Sequence, residues 1–450
     1  MACSMGNSGL ALNIRYVLAL VLLGFFSGNG ALAASTNDEI PMAARMVLTR
    51  AETLMDHKDY AQAINVLTTF QSRSPAPPAG QPDPKGAHHP LVYFYLGNCY
   101  LLHGNAAKAQ AALTQAATRA PDMAAAWQNL AKAHYEQAHY AEAARCFEAA
   151  YERSDQSNAE ALGFSALSAH MAGQHAAAIR AFQRLFDHHP KAVTLTWKAN
   201  FAQALLESDQ PRRALPLLRD LATRSPMENR AKWQEILLFQ YIQLNMHEKA
   251  QALAKRLAYS QCTTAKWWKA LAQVQLAAGH EQQALVALTI YSYLTPLSTE
   301  EKKLLADLSL QLDLPRPAIR GYLDLMNAHP EASVLRNLII ACQRLEEYET
   351  ALGYLNRFAA NTRSTDLLML KADLLYALKR FGDAESVYHR IARQNGPHAA
   401  RAWLMAGYAA WQHNDLEFGK TAFKVAAKNS RHRKAAQLAL RQMMEKGNAR

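Results

Sequence analysis

A small residue returns along almost the whole chain at nearly constant spacing. It is Ala63, Ala109, Ala143, Ala178, Ala214, Ala250, Ala284, Ala318, Ala351 and Ala384, with Gly419 in the eleventh place. After a first gap of 46 residues the intervals are 34, 35, 36, 36, 34, 34, 33, 33 and 35. A period of this length and regularity specifies a stacked array of similar units, not a compact domain around one core.

Companion positions separate this pattern from chance in an alanine-rich chain. Four residues after each marker stand Leu67, Leu113, Phe147, Phe182, Leu218, Ala254, Leu288, Tyr322, Leu355, Tyr388 and Phe423. Three further on are Phe70, Ala116, Ala150, Leu185, Leu221, Leu257, Tyr291, Leu325, Phe358, Ile391 and Ala426. Offsets of 0, 4 and 7 share one face of an α-helix. Five residues before the marker, Gly104, Gly173, Asp209, Asn245, Gly279, Asp313 and Asn414 are turn formers. About twelve residues after it, Pro75, Pro121, Pro190, Pro226, Pro296 and Pro330 mark the exit. Each unit therefore reads as helix A, tight turn, helix B, breaker. The marker is small so that the two helices approach closely, and the bulky residues fill the space to the next unit.

The pattern resembles the tetratricopeptide repeat (TPR). Its marks stand at Trp127, Leu130, Ala131, Ala143 and Phe147 in the third unit. The second has Leu96, Gly97, Tyr100, Ala109 and Pro121, and the seventh Trp268, Leu271, Ala272, Ala284 and Pro296. Leu238 and Ile339 depart from it by replacing a small residue of helix A, and five units lack the proline. The resemblance covers about 44–431 and implies an all-α, right-handed superhelical solenoid of about eleven helix-turn-helix repeats. Residues 435–445, with Leu438, Leu440, Met443 and Met444, read as a C-terminal helix capping the last repeat.

Half of the residues are apolar, ample for a buried core. Residues 1–33 stand outside the array. Arg15 precedes the apolar run Tyr16 to Phe26, followed by Ser27, Gly28 and Asn29 and the small-residue site Ala31-Leu32-Ala33. This reads as a secretory signal peptide, with Met5 as an alternative start. An uncleaved anchor is the competing reading, but the apolar run is about eleven residues, short of the roughly twenty that span a bilayer. The expectation is an exported, periplasmic or secreted chain with no transmembrane segment after cleavage. Cys99, Cys146, Cys262 and Cys342 then remain, without CxxC spacing. They read as buried small apolar residues, with Cys99 and Cys146, in adjacent repeats, the one pair to test as a disulfide.

The boundaries that follow are 34–77 for an N-terminal segment and first repeat, 78–89 for a proline-rich insertion, 90–431 for ten repeats and 432–450 for a basic capping helix and tail. Between Gln71 and Pro90 lie Pro75, Pro77, Pro78, Pro82, Pro84 and Pro90, which favour extended backbone. They predict a surface spacer that leaves the first repeat partly detached. His88-His89 and His188-His189 read as exposed residues near helix ends, because neither pair belongs to a converging ligand set. HExxH, GxGxxG, GxxxxGK[ST] and GxSxG patterns are absent, and no carboxylate pair recurs at acid–base spacing. The chain reads as non-enzymatic, with no cofactor and no metal.

Net charge is +12, and the leader contributes only Arg15 to it. This basic balance suits acidic peptide segments, anionic polysaccharide or anionic lipid, while export argues against nucleic acid. Lys428, Arg431, Arg433, Lys434, Arg441, Lys446 and Arg450 concentrate charge at the C-terminus. They read as a solvated end helix, with a docking patch as the alternative.

The TPR resemblance implies that helix A presents a concave face to partners. The residues matching that face are Leu91, Phe94, Asn98 and Leu101 in the second unit, and Gln128, Lys132, Tyr135 and Glu136 in the third. Later units contribute Lys232, Glu235 and Phe239, then Lys266, Lys269 and Gln273, then Arg336, Gln343 and Arg344. The early groove is expected to be apolar and amide-lined and the later groove cationic, able to hold an extended peptide or helix.

One stretch supports a narrower resemblance. Trp267 to Leu288 reads W-W-K-A-L-A-Q-V-Q-L-A-A-G-H-E-Q-Q-A-L-V-A-L, followed by Lys302 to Leu308 and Pro317-Ala318-Ile319. It is similar to exported TPR proteins that accompany TonB–ExbB–ExbD energy-transducing systems of Gram-negative bacteria. That implies a periplasmic interaction scaffold binding cell-envelope proteins, as accessory of a TonB-type uptake system. A TPR factor in exopolysaccharide export or envelope assembly is the alternative.

Overall fold

The computed structural model describes residues 40–75, 83–359, 363–394 and 396–448. The leader and Pro77, Pro78 and Pro82 lie outside the described residues. Secondary structure among the described residues is α-helix, one 3-10 turn at Pro190–Ala192, and connecting turns. The chain divides into two bodies, up to Gln240 and from Tyr241.

In the N-terminal body the hairpins are α1 (Met42–Asp56) with α2 (Tyr60–Ser72), α3 (Pro90–Leu102) with α4 (Ala106–Arg119), and α5 (Ala124–Glu136) with α6 (Tyr140–Glu152). They continue with α7 (Ala159–Met171) and α8 (His175–His188), α9 (Leu195–Glu207) and α10 (Pro211–Arg224), and then α11 (Met227–Gln243), within which the division falls. The C-terminal body begins with α12 (His247–Ser260), α13 (Ala265–Ala277), α14 (Glu281–Leu294), α15 (Thr299–Gln311) and α16 (Pro315–Ala328). It goes on through α17 (Ala332–Arg344), α18 (Tyr348–Ala359), α19 (Thr365–Ala377), α20 (Phe381–Ala392), α21 (Ala399–Gln412) and α22 (Leu416–Ala426) to α23 (Arg433–Asn448). Within each body, successive hairpins pack on one another, so the fold class is the expected all-α repeat solenoid.

Every marker is the fourth residue of its B helix, and every one is buried. The residues four positions later are buried as well. Gly97 shows why smallness is needed: a Cβ there would sit 2.4 Å from Leu113 Cγ, so the bare backbone of α3 seats the leucine of α4. Leu238 and Ile339, where a small residue was expected, are themselves buried core residues. Each fully buried Leu or Phe contributes about 1.5–3 kcal/mol, spread along the row instead of concentrated in one centre.

The A-to-B turn is more uniform than the residues suggest. All eleven positions five before the marker take a left-handed φ, from 55° at Asp209 and Asn245 to 77° at Gly104. Lys58, Ala138, Glu346 and Lys379, which are not turn formers, do so too. The geometry of the hairpin imposes the conformation.

The first repeat is not detached. Ala44, Leu48, Ala51, Ala63 and Leu67 share a core with Val92, Leu96 and Cys99 of the second. The described end of the insertion helps to close this contact. Asp83 accepts from the backbone N–H of Gly86 (2.9 Å) and His88 (2.6 Å), and a Cβ on Gly86 would meet Ala44 Cβ at 2.8 Å. His88 is no free surface histidine: Nδ1 lies 2.8 Å from the Tyr93 hydroxyl and Nε2 2.8 Å from the Ser74 carbonyl. His189 contacts the Tyr151 hydroxyl (3.2 Å), while His188 is exposed.

Cys99, Cys146 and Cys342 are buried and free, with burial pushing their thiols to about 12, 11 and 11. Cys262, expected to be buried, is exposed, and Cys99 does not pair with Cys146. The final helix α23 covers the last repeat through Ala436, Ala439 and Met443, and a Cβ on Gly419 would meet Met443 Cε at 2.8 Å. Leu438 and Met444, expected in that contact, face solvent. The described tail cations from Lys428 to Arg441 are exposed. No helix among the described residues is long and apolar enough to cross a membrane.

Candidate partner-binding cleft

Within the N-terminal body a cleft of about 650 Å³ opens between α5, α7, α9 and the start of α11. Trp197, at the third position of α9, forms much of its wall. The indole stacks edge-on to Phe164 (5.3 Å, 87°) and lies against the α7 backbone at Gly163, where a Cβ would stand 2.7 Å from the ring. Thr194 caps α9 by accepting from the Trp197 N–H (3.3 Å), which fixes where the ring enters. Trp233 and Lys232 project from the first turns of α11, and Leu167 of α7 adds to the apolar lining.

The polar groups of this cleft are set apart by what they lack. Asn200 is 8% exposed and its amide bonds to no described residue. Lys232 is half-buried, its ammonium 5.5 Å from the Trp233 ring centroid, and burial alone holds its pKa below the usual lysine value. Glu160, also on the wall, has its carboxyl pushed up by burial, with Lys132 drawing it back. Lys132 is depressed by burial against the attraction of Glu160 and Glu136. Burial and the neighbouring Tyr140 push the Tyr135 phenol to about 12. Partly desolvated charges and an amide that opens only onto the cleft are the groups a polar ligand could engage there.

The structure brings Tyr135 and Lys232 of the expected groove residues onto this cleft, with Lys132 beside it. The others go elsewhere. Phe94 is buried in the core and offers no groove surface. Asn98 accepts from Asn129 (2.6 Å), and Gln128 accepts from Asn158 (3.0 Å), each spanning two repeats. Lys269 pairs with Glu301 (2.7 Å), and Arg344 bonds the Leu310 carbonyl and Asp313. Lys266 stands over the Trp267 ring at 4.5 Å, while Gln273 and Arg336 are exposed. Of the later groove cations, Lys269 and Arg344 thus stand in partly exposed ion pairs with Glu301 and Asp313.

Trp197, Asn200, Gln203 and Trp233 are outside the expected set, which takes no residue from the fifth repeat and only Lys232, Glu235 and Phe239 from the sixth. The signal was present: Trp197 to Trp233 and Phe164 to Asn200 are both 36 residues apart, the spacing of the neighbouring markers. A second cavity of about 430 Å³, in the C-terminal body, is lined by Tyr259, Trp268 and Gln275. Its two central amides are already engaged, Gln275 Oε1 accepting from Gln251 at 3.0 Å and lying 3.0 Å from His280 Nδ1, so it is the weaker candidate.

The tetratricopeptide repeat model matches residues 48–124, 129–192 and 369–418. No curated protein matches the chain. Solved structures similar to it include a tetratricopeptide repeat protein from Parabacteroides merdae, 13% identical, covering 56% of this chain and 98% of that one, with TM-score 0.30. A chain of the Naa15/Naa10 structure bound to HypK-THB is 12% identical over 90% of this chain and 66% of that one, TM-score 0.45. YrrB, a TPR protein with an unusual peptide-binding site, is 16% identical over 41% and 96%, TM-score 0.34. The buried small residue at the fourth position of every B helix, the left-handed turn before it and the matched model agree: the helical hairpins of this chain are tetratricopeptide-like repeats, matched by the family model over those three stretches.

Proposed function

We propose that the chain is a non-enzymatic scaffold of the Gram-negative periplasm that seats an extended segment of a cell-envelope protein in the cleft of its N-terminal body. Tetratricopeptide-repeat proteins are generally protein-interaction scaffolds. The observation that carries the reading is one wall holding Trp197, the unbonded Asn200 amide and the unpaired Lys232 ammonium. A peptide backbone satisfies the amide, an acidic side chain or C-terminal carboxylate pairs with the ammonium, and apolar side chains pack on the indoles. The leader motif supports export, and the Trp267–Leu288 resemblance supports an accessory role beside a TonB-type system.

The test has two parts. Fusion of residues 1–33 to a reporter active only outside the cytoplasm should yield activity, and an inactive fusion would remove the periplasmic assignment. The purified chain should bind fluorescent peptides from the periplasmic segments of TonB-system proteins, and Trp197→Ala or Lys232→Glu should weaken binding at least tenfold. Equal affinity of both variants and wild type would exclude the cleft. Binding of an acidic glycan that salt suppresses, with no peptide binding, would favour the polysaccharide alternative.

A further inference from the structure

We propose that His170, His175 and Glu207 form a binding site for a divalent transition-metal ion of the zinc type. His170 is the penultimate residue of α7, His175 opens α8 across the tight turn at Gly173, and Glu207 ends α9 of the next repeat. Among the described residues these are the only three potential ligands whose donor atoms all fall within 4.8 Å of one another.

The two imidazoles face one carboxylate oxygen at ion-pair range but beyond hydrogen-bond reach. His170 Nε2 lies 3.6 Å, and His175 Nδ1 3.9 Å, from the same carboxylate oxygen, Oε2 of Glu207. Both are too long for a hydrogen bond. Two ligands of a tetrahedral ion at about 2.0–2.1 Å stand roughly 3.4 Å apart, so a small inward movement would place all three on one ion. His175 Nδ1 is buried without a hydrogen-bond partner, and the His170 side chain is 8% exposed. The other oxygen of Glu207 is already held, because Gln203 Nε2 donates to Oε1 at 2.8 Å. Such a bond fixes a ligating carboxylate and leaves its second oxygen free for the ion.

The repeat supplies an internal comparison. At the equivalent cross-turn positions, eight and three residues before the marker, Tyr135 faces Tyr140 and Tyr376 faces Phe381, each pair 5.2 Å apart. The fourth repeat keeps the geometry, with rings 5.5 Å apart, but exchanges both aromatics for imidazoles beside a carboxylate. Two imidazoles and one carboxylate suit zinc, cobalt, nickel or copper, not calcium or magnesium, and leave a coordination position for water.

Cobalt(II) reports the site directly. The chelator-stripped chain should bind one equivalent with the visible absorption of a four-coordinate ion, zinc should displace it, and zinc should raise the melting temperature. His175→Ala and Glu207→Gln, both at partly exposed positions, should each weaken binding at least tenfold and abolish the zinc-dependent rise. His139→Ala, at a neighbouring turn, should leave both unchanged. Absence of the cobalt band, or equal affinity in wild type, His175→Ala and Glu207→Gln, would overturn the proposal.

Discussion

Two regions of the molecule handle charge in opposite ways. In the C-terminal body, cations and hydroxyls are consumed by partners on neighbouring helices. Asp307 accepts from the Tyr322 hydroxyl (2.6 Å) and from Asn337 (3.1 Å), and Asp373 accepts from Tyr388 (2.5 Å) and Arg401 (2.8 Å). Each aspartate stands on helix A, fifteen residues before the bulky tyrosine of helix B, and reaches into the next repeat. Around the N-terminal cleft, Glu160, Lys132 and Lys232 are partly desolvated and make no direct ion pair among the described residues. The contrast teaches that a count of lysines and arginines does not locate a binding surface. What matters is which charges the fold has left without a partner.

The largest test of this contrast removes an inter-repeat acceptor. Asp373→Ala strips Tyr388, whose side chain is fully buried, of its bond and separates Arg401 from its carboxylate. The expected destabilisation is about 2–3 kcal/mol, set chiefly by the unsatisfied buried hydroxyl. Chemical denaturation of wild type and variant measures it. Asp373→Asn, which keeps an acceptor, should recover part of the loss. A change below about 0.5 kcal/mol for the alanine variant would mean that these pairs are ordinary surface contacts.

A smaller gain is expected at a turn. Ala138 holds φ of 59°, where its Cβ is crowded, while the equivalent Gly104 and Gly173 hold 77° and 73° without that penalty. Left-handed backbone costs a non-glycine residue about 1–2 kcal/mol, and glycine costs about 0.5–1 kcal/mol of chain entropy. Ala138→Gly should therefore stabilise the protein by about 0.5–1 kcal/mol in the same denaturation experiment. A loss of stability would show that the alanine methyl is packed productively.

Much of the fold was legible because its determinants are local and repeated. Ala214 or Ala384 alone carries no information, but with a bulky residue four positions on and a turn five positions back each fixes a hairpin. What was not legible depended on three dimensions. Lys379 and Glu346 hide a left-handed turn because hairpin closure, not side-chain preference, sets that φ. The insertion read as a spacer because its proline content is visible, while the Asp83 and His88 bonds that fold its end back are not. The cleft was half-seen, since Tyr135 and Lys232 follow from the repeat register whereas Asn200 looks like any helical amide until its surroundings are known. His170, His175 and Glu207 are 5 and 32 residues apart, a spacing that gains meaning only once α9 is packed against α7.

The finest test concerns sign instead of size. Burial raises the Glu160 carboxyl above its ordinary value of 4.5. The folded state therefore binds a proton that the unfolded state has released, and stability falls as pH rises through the interval above 4.5. Glu160→Gln removes this ionisation. Wild type and variant should have matching pH dependence well below pH 4.5, where both side chains are neutral, and the variant should become the more stable as pH rises through that interval. Asp373, by contrast, accepts from Tyr388 and Arg401, so its replacement should destabilise at neutral pH. Thermal melts across the acid range decide the matter: if Glu160→Gln destabilises at neutral pH as Asp373→Ala does, Glu160 is a structural partner like those of the C-terminal body and not a charge held open for a ligand.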